Sequence, residues 1–416
     1  MSVSPRSESE LRTMNRPVMQ YRRFGRTQLK MPVFSCGGMR YQYTWNETPP
    51  HPIPPDNQEN VERTVRRALE LGITHIETAR AYGTSELQLG PVLAQLLDQL
   101  PRDHIILQTK ILVKEEGPKF FEEFERSLAY LQVDYVDLLA IHGINSASHL
   151  EDCLKPGGCL AVAQQLQAQG KARFIGFSTH APTEVIVQAI ETDAFDYVNL
   201  HWYYINQNNW PAIEAATRHD MGVFIISPSD KGGKLYDPPT KLVDLCAPLS
   251  PIVFNNLFCL SHPQIHTLSI GAARPSDFDE HLRTLPLLDR ATEILEPILQ
   301  RLEQAAIDTL GADWWHHWSV GLPTVDETPG RLNIPVILWL RNLALAYDMK
   351  DYAKMRYNLL GQASHWFPGS RAENINPENL QSLLSKSPFA DRIPQLLRET
   401  HDLLAGEEVK RLSQTD

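Results

Sequence analysis

The chain has 416 residues, 42% of them apolar and 21% charged, with a formal net charge of −11. That acidic balance argues against a nucleic-acid binder, which needs a basic face. No stretch approaches the roughly 18 consecutive apolar residues of a membrane span, and the length predicts one large domain with an appendage, or two to three domains.

Residues 1–18 are polar, carry no apolar signal-like run, and read as a mobile leader. The segment "QYRRFGRTQLKM" (Gln20–Met31) then places a Gly-Arg-Thr turn between two short extended runs, the pattern of a β-hairpin. After it, short apolar runs alternate with amphipathic segments. The runs are Pro32–Gly38, Thr74–Ala79, His104–Lys110, Val136–Gly143, Ala172–Ser178, Asp196–Trp202, Gly222–Pro228 and Thr267–Ala273. Helical spacing connects them. In "NVERTVRRALELG", Val61, Val65, Ala68 and Leu69 share one face and Gly72 follows as a stop. Eight such repeats, apolar on both strand faces, predict a parallel sheet covered by helices, closed as a (β/α)8 barrel over residues 19–289. An open doubly wound sheet is the competing arrangement, and no GxGxxG follows the first strand to support it.

Past Pro286 the pattern changes. "ATEILEPILQRLEQAAIDTL", "IPVILWLRNLALAYDM" and "PENLQSLLSKS" read as helices, with "GADWWHHWSVGLPTVDETPGRLN" between the first two. Residues 290–416 are therefore predicted to form an α-helical C-terminal extension. Five cysteines are scattered without a CxxC, which suggests reduced thiols in a cytosol. The adjacent His316 and His317 cannot share one helix face as metal ligands, and packing with Trp314, Trp315 and Trp318 is the simpler account.

In a barrel of this kind chemistry belongs at the C-terminal strand ends. Glu77 ends the second barrel strand, with Tyr82 in the loop behind it; Lys110 ends the third and His142 the fourth. A tyrosine hydroxyl is a weak acid at neutral pH. A neighbouring ammonium favours its ionised form, and a carboxylate keeps that ammonium charged. A histidine beside them orients a carbonyl oxygen, so the four together form a proton donor for a carbonyl undergoing reduction.

The same residues, in the same order, resemble the aldo-keto reductases. "ETARAYGTSELQLG" is similar to their Asp-Thr-Ala…Tyr-Gly…Ser-Glu…Leu-Gly signature, "LLAIHG" to their histidine strand, and "GKARFIGFST" to their Gly-Lys-Ile-Arg…Gly-x-Ser-Asn stretch. The start "RRFGRTQLKMPVFSCGGM" matches as well, and the resemblance runs from about Gln20 to Leu285. It implies an NAD(P)H-dependent oxidoreductase that reduces an aldehyde or ketone to an alcohol. Tyr82 would be the general acid, Lys110 and Glu77 its tuning pair, and His142 the carbonyl-orienting residue. It further implies a cofactor site at Ser178, Thr179, Asn199, Ser227, Lys231, Gly232, Gly271, Arg274, Glu280 and His281. NADPH is the expected cofactor by family habit, with NADH as the alternative.

Four positions depart from the family pattern. Glu77 stands where the family has aspartate, Thr179 where asparagine is usual, and Ile226 where many members stack an aromatic ring. Asp277 stands where NADPH-preferring members often place a 2′-phosphate arginine, with Arg274 three residues away. The departures at Glu77, Thr179 and Ile226 support a second reading, a weak or inactive barrel that binds nucleotide or a protein partner. A Schiff-base lyase built on Lys110 is a third. The extension resembles that of aldo-keto reductases bearing a C-terminal ferredoxin-like cluster, and "PGRLNIP" falls near the corresponding place. No cysteine follows Cys259, so no iron–sulfur cluster and no other metal is expected. A small-molecule carbonyl substrate, a cytoplasmic location and an extension available to a protein partner complete the expectations. Tyr41, Tyr43, Trp45, Arg80, Trp202, Tyr203 and Trp210 are candidates for the walls of the substrate mouth.

Overall fold

The computed structural model describes residues 18–49, 51–362, 368–373 and 378–406. The polar leader read from residues 1–18 lies outside them except for Val18. Strands β1 (Tyr21–Arg23) and β2 (Lys30–Pro32) pair antiparallel, with Tyr21 opposite Pro32. This is the expected hairpin, turned through Gly25–Thr27. Eight strands follow: β3 (Phe34–Gly37), β4 (His75–Glu77), β5 (Ile106–Leu112), β6 (Val136–His142), β7 (Ala172–Ser178), β8 (Tyr197–Leu200), β9 (Gly222–Ile225) and β10 (Thr267–Gly271). They pair in parallel and in chain order, and β10 returns to β3 to close the barrel. Seven of the eight strands fall inside the apolar runs of the sequence; β5 runs two residues past Lys110, the residue expected to end it, because Ile111 and Leu112 continue its pairing with β6.

The hairpin plugs the bottom of the barrel. Phe24 is fully buried and its ring meets Tyr197 at 5.7 Å and His266 edge-on at 5.6 Å. Phe24, Met31, Ile106, Leu138, Tyr197 and Phe224 pack there as a separate inner core. Room for the Tyr197 ring is made by Gly176, where a Cβ would collide with it. The outer core lies between strands and helices. The helix Pro55–Glu70 buries Val61, Val65 and Ala68, while Leu69 sits at the edge. The helix Gly117–Leu131 buries Phe120, Phe124, Leu128 and Leu131 at helical spacing.

The extension is helical as expected. Its first helix, Ala291–Leu310, buries Leu295, Ile298, Leu302 and Ala306. It lies against the barrel helices Thr240–Cys246 and Pro251–Leu260 on one side and against Ile334–Ala346 on the other. The apolar core therefore continues from the barrel into the extension. Two local expectations are corrected. The segment read as a helix over 377–387 is helical only at Glu378–Gln381 and continues as turns. The tryptophan-rich connector contains a short helix, Ala312–His317, whose two histidines are exposed and not packed among the tryptophans. It is Trp314 that is buried, against Phe389 at 4.9 Å. The hydrophobic effect decides this: the short helix can turn only one side inward, and the indole gains more from burial than imidazole.

No single helix among the described residues is long and apolar enough to cross a membrane. No group of three or more metal-ligating side chains occurs among them.

Candidate active site

The cleft at the C-terminal end of the barrel has a volume of about 210 Å³. Glu77, Tyr82, Lys110 and His142 all line it. Parallel register brings them together: Glu77 ends β4, Lys110 lies in β5, and His142 ends β6. The backbone N–H of Tyr82 bonds the carbonyl of Ala79 at 3.0 Å in a tight turn that aims the phenol back at the strand ends.

Lys110 is 1% exposed, and its ammonium makes an ion pair with the Glu77 carboxylate. It also donates to the Tyr82 hydroxyl at 3.0 Å and to the Thr78 carbonyl at 2.9 Å. The Tyr82 hydroxyl donates to Glu77 Oε1 at 3.4 Å, so the three groups form a closed triangle. The His142 ring stands edge-on to the Tyr82 ring, centroids 6.0 Å apart. Burial holds the Lys110 ammonium well below the usual lysine range. Burial also raises the Tyr82 phenol. The expectation that the ammonium lowers the tyrosine is therefore reversed. The desolvation that penalises phenolate is the larger effect. Tyr82 is held as a neutral phenol, the protonated state a donor requires.

The residues proposed for a dinucleotide divide into four groups. Ser178, Ser227, Lys231 and Gly271 line the same cleft. Gly232 sits where a Cβ would strike the Pro228 carbonyl, so the loop after β9 can turn there only with glycine. Ser227 opens that loop with φ of 53°, a left-handed conformation uncommon for serine. Asn199 is paired with Ser178 across β7 and β8. It is fully buried, and both atoms of its amide lack a hydrogen-bond partner among the described residues. A buried amide with neither donor nor acceptor satisfied fits a ligand that offers both, as a carboxamide does.

The remaining positions are committed elsewhere. The Thr179 hydroxyl donates to the Ile144 carbonyl at 2.6 Å and accepts from the Ala181 N–H at 2.9 Å. His281 is fully buried, held by the Tyr236 hydroxyl at 3.0 Å and the Asn256 amide at 2.9 Å. Burial drives its imidazole down to about 3. It is a neutral core histidine, not a group facing the cleft. Glu280 accepts from Ser250 and pairs with Arg283 at 2.9 Å. Arg274 is 73% exposed beside Asp277 at 3.2 Å, on the solvent side of the loop after β10.

Of the aromatic residues considered for the substrate mouth, only Trp45 lines the cleft. Tyr41 is buried, and Trp202 stacks on Phe258 at 5.0 Å. Arg80 is withdrawn into an ionic cluster with Glu47 and with the buried Glu86, the latter at 2.6 Å. Sequence reasoning missed Arg40, Asp230 and Arg356, which also line the cleft. Arg356 comes from the extension helix Lys350–Asn358 and pairs with Asp230 at 3.3 Å. In the same helix Tyr352 donates to the Lys231 carbonyl at 2.6 Å. No sequence signal marks an arginine 126 positions downstream as part of the cleft. The extension thus braces the loop that follows β9.

Residues 35–232 match the sequence model of the Aldo/keto reductase family. An L-galactose dehydrogenase of Arabidopsis thaliana is 35% identical over 144 residues, 33% of this chain and 43% of that enzyme. The aldo-keto reductase YhdN of Bacillus subtilis is 32% identical over 133 residues, 30% of this chain and 38% of the relative. The chain spans less than half the length of these two relatives. Among solved structures, the holo form of aldo-keto reductase AKR11C1 from Bacillus halodurans superposes with a TM-score of 0.55 at 20% identity, covering 68% of this chain and 96% of that one. An aldo/keto reductase from Klebsiella pneumoniae in complex with NADP and acetate gives 0.52 at 19% identity, covering 67% and 96%. At such identities the likeness is one of fold.

Proposed function

Because residues 35–232 match the aldo/keto reductase family model, we propose that this chain reduces a carbonyl compound to an alcohol with a nicotinamide dinucleotide, NADPH before NADH. The observation that carries this reading is the closed triangle of Tyr82, Lys110 and Glu77 beside His142. It is a proton donor built at the one end of the barrel where substrates enter.

The bound reduced nicotinamide would supply the hydride. The chain's own residues do the rest. Asn199 and Ser178 would hold the carboxamide, using the amide that is otherwise unsatisfied. Ser227, Lys231 and Gly232 would receive phosphate on a loop rich in backbone N–H groups, with Gly271 offering close approach from β10. Arg274, exposed beside the loop, would reach a 2′-phosphate, which NADPH carries and NADH lacks. The Tyr82 hydroxyl would give its proton to the carbonyl oxygen as negative charge develops there. Lys110 stabilises the phenolate left behind, and Glu77 keeps Lys110 charged. His142 would fix the direction of the oxygen. The substrate is a small-molecule carbonyl, and the five free cysteines, all buried, accord with a reducing cytosol.

Thr179 favours the second reading, a barrel that binds nucleotide and turns over poorly, since its hydroxyl is occupied by Ile144. Side-by-side titration with NADPH and NADH, followed by turnover on an aldehyde panel, tests both. Binding with turnover supports the reductase. Binding without turnover leaves the second reading. No binding of either nucleotide below millimolar concentration removes both. Equal affinity for the two nucleotides removes the role given to Arg274.

A further inference from the structure

A second cleft lies between the barrel and the extension and shares no lining residue with the first. Its volume is about 460 Å³, within the range of small-molecule sites. Its walls are aromatic: Tyr204 from the loop after β8, Trp315 and Trp318 from the connector, and Trp339 and Tyr347 from the helix Ile334–Ala346 and its end. Trp339 is fixed in place by donating its indole N–H to the Ile205 carbonyl at 2.8 Å. No charged side chain lines this cleft among the described residues.

One lining residue is polar, buried and incompletely satisfied. Asn342 is 2% exposed, and its Oδ1 accepts the Trp314 indole N–H at 2.9 Å. Indole nitrogen can only donate, so the orientation of the amide is determined. Its Nδ2 has no hydrogen-bond partner among the described residues. A buried donor left in this state is costly unless something completes it.

We propose that this cleft binds a neutral, planar aromatic small molecule carrying a carbonyl acceptor. The flat faces of the tryptophans take the ring system, and the Asn342 amide receives the oxygen. Charged ligands are disfavoured, because no lining side chain offsets their desolvation. The inference stands on this cleft alone and does not depend on the reductase reading.

Coumarin, flat and neutral with one carbonyl, is a suitable probe, with 1-naphthoate as a charged counterpart of similar size. The full chain would be labelled with 5-fluorotryptophan, and its eight tryptophans assigned by single Trp→Phe variants. The fluorine resonances of Trp315, Trp318 and Trp339 are expected to move saturably at sub-millimolar coumarin, while that of Trp45 in the tetrad cleft stays. Naphthoate should bind at least about tenfold more weakly. Asn342→Asp keeps the acceptor for Trp314 and removes the donor, so coumarin affinity should fall at least about tenfold. Trp318→Ala, at a half-buried wall position, should cause a similar loss and serves if Asn342→Asp does not fold. The proposal is overturned if coumarin moves none of the three resonances, or moves only Trp45. It is also overturned if naphthoate binds equally well, or if the folded variants retain full affinity.

Discussion

The hydroxyl of Tyr352 in the extension donates a 2.6 Å hydrogen bond to the carbonyl oxygen of Lys231, 121 positions earlier on the loop after β9. That loop also carries Asp230, which pairs with Arg356 one turn further along the same extension helix. Two side chains of the extension thus fix the loop assigned to the dinucleotide phosphates. Tyr352→Phe deletes the bond and leaves the ring in contact with Trp339 at 6.2 Å. Loss of one such bond is worth about 1 kcal/mol. The dissociation constant for NADPH, read by fluorescence titration, should rise about two- to tenfold with little change in melting temperature. Unchanged affinity would show that the loop holds its shape without the extension.

Tyr82→Phe removes one hydroxyl and keeps the ring beside His142. Carbonyl reduction should fall by at least about 10²-fold, the lower end of what a positioned general acid contributes. Nucleotide affinity should be nearly unchanged. Steady-state turnover and a nucleotide titration on the same preparation check both halves. A variant as active as the parent would remove the tetrad mechanism.

Glu77 and Lys110 are nearly inaccessible, so their ion pair cannot be replaced by water. Lys110→Met leaves Glu77 as a buried carboxylate without its cation. It should reduce turnover as severely as Tyr82→Phe and also lower stability, by about 3–5 kcal/mol for a broken buried pair. Glu77→Asp shortens the carboxylate by one methylene and restores the residue usual in the family. Activity should hold or rise. Its loss would mean that the site is built around the longer side chain.

Four histidines withdrawn from solvent make the protein sensitive to acid, and burial holds one of them, His201, well below the usual imidazole range. Burial pushes His75 and His281 down to about 3 and His266 down to about 4. In the unfolded chain each titrates near ~6.5. Above that value both states are neutral and the histidines contribute no pH dependence. As pH falls below it, the unfolded state takes up protons that the native state refuses, and stability drops. Each histidine contributes a slope of up to about 1.4 kcal/mol per pH unit until its folded value is reached. Asp196 and Glu86, whose carboxyls are raised by burial, act in the opposite sense and lessen the net slope. Urea unfolding at pH 7 and pH 5 should show lower stability at the acid end. His281→Asn, at a site held by Tyr236 and Asn256, should reduce that difference by about 2 kcal/mol or less. An unaltered difference would mean that His281 is protonated in the folded protein.

The sequence by itself determined the barrel, the hairpin and the tetrad. Eight apolar runs separated by helical spacing leave little choice of topology, because both faces of every strand must be covered. Glu77, Tyr82, Lys110 and His142 were legible for the same reason: parallel register places the ends of successive strands side by side, so position along the chain implies position in space. Where that rule stops, only the tertiary structure decided. His281 looked like a cofactor contact, yet the packing of the helix Asp277–Leu282 turns it into the core, where desolvation keeps it neutral. The ammonium of Lys110 predicts a lowered Tyr82, but burial of the phenol is the stronger influence. Arg356, Tyr352 and Asn342 gave no signal at all. Their roles come from contacts between segments far apart in the chain, and no local periodicity encodes which distant surfaces meet when an extension folds back on a barrel.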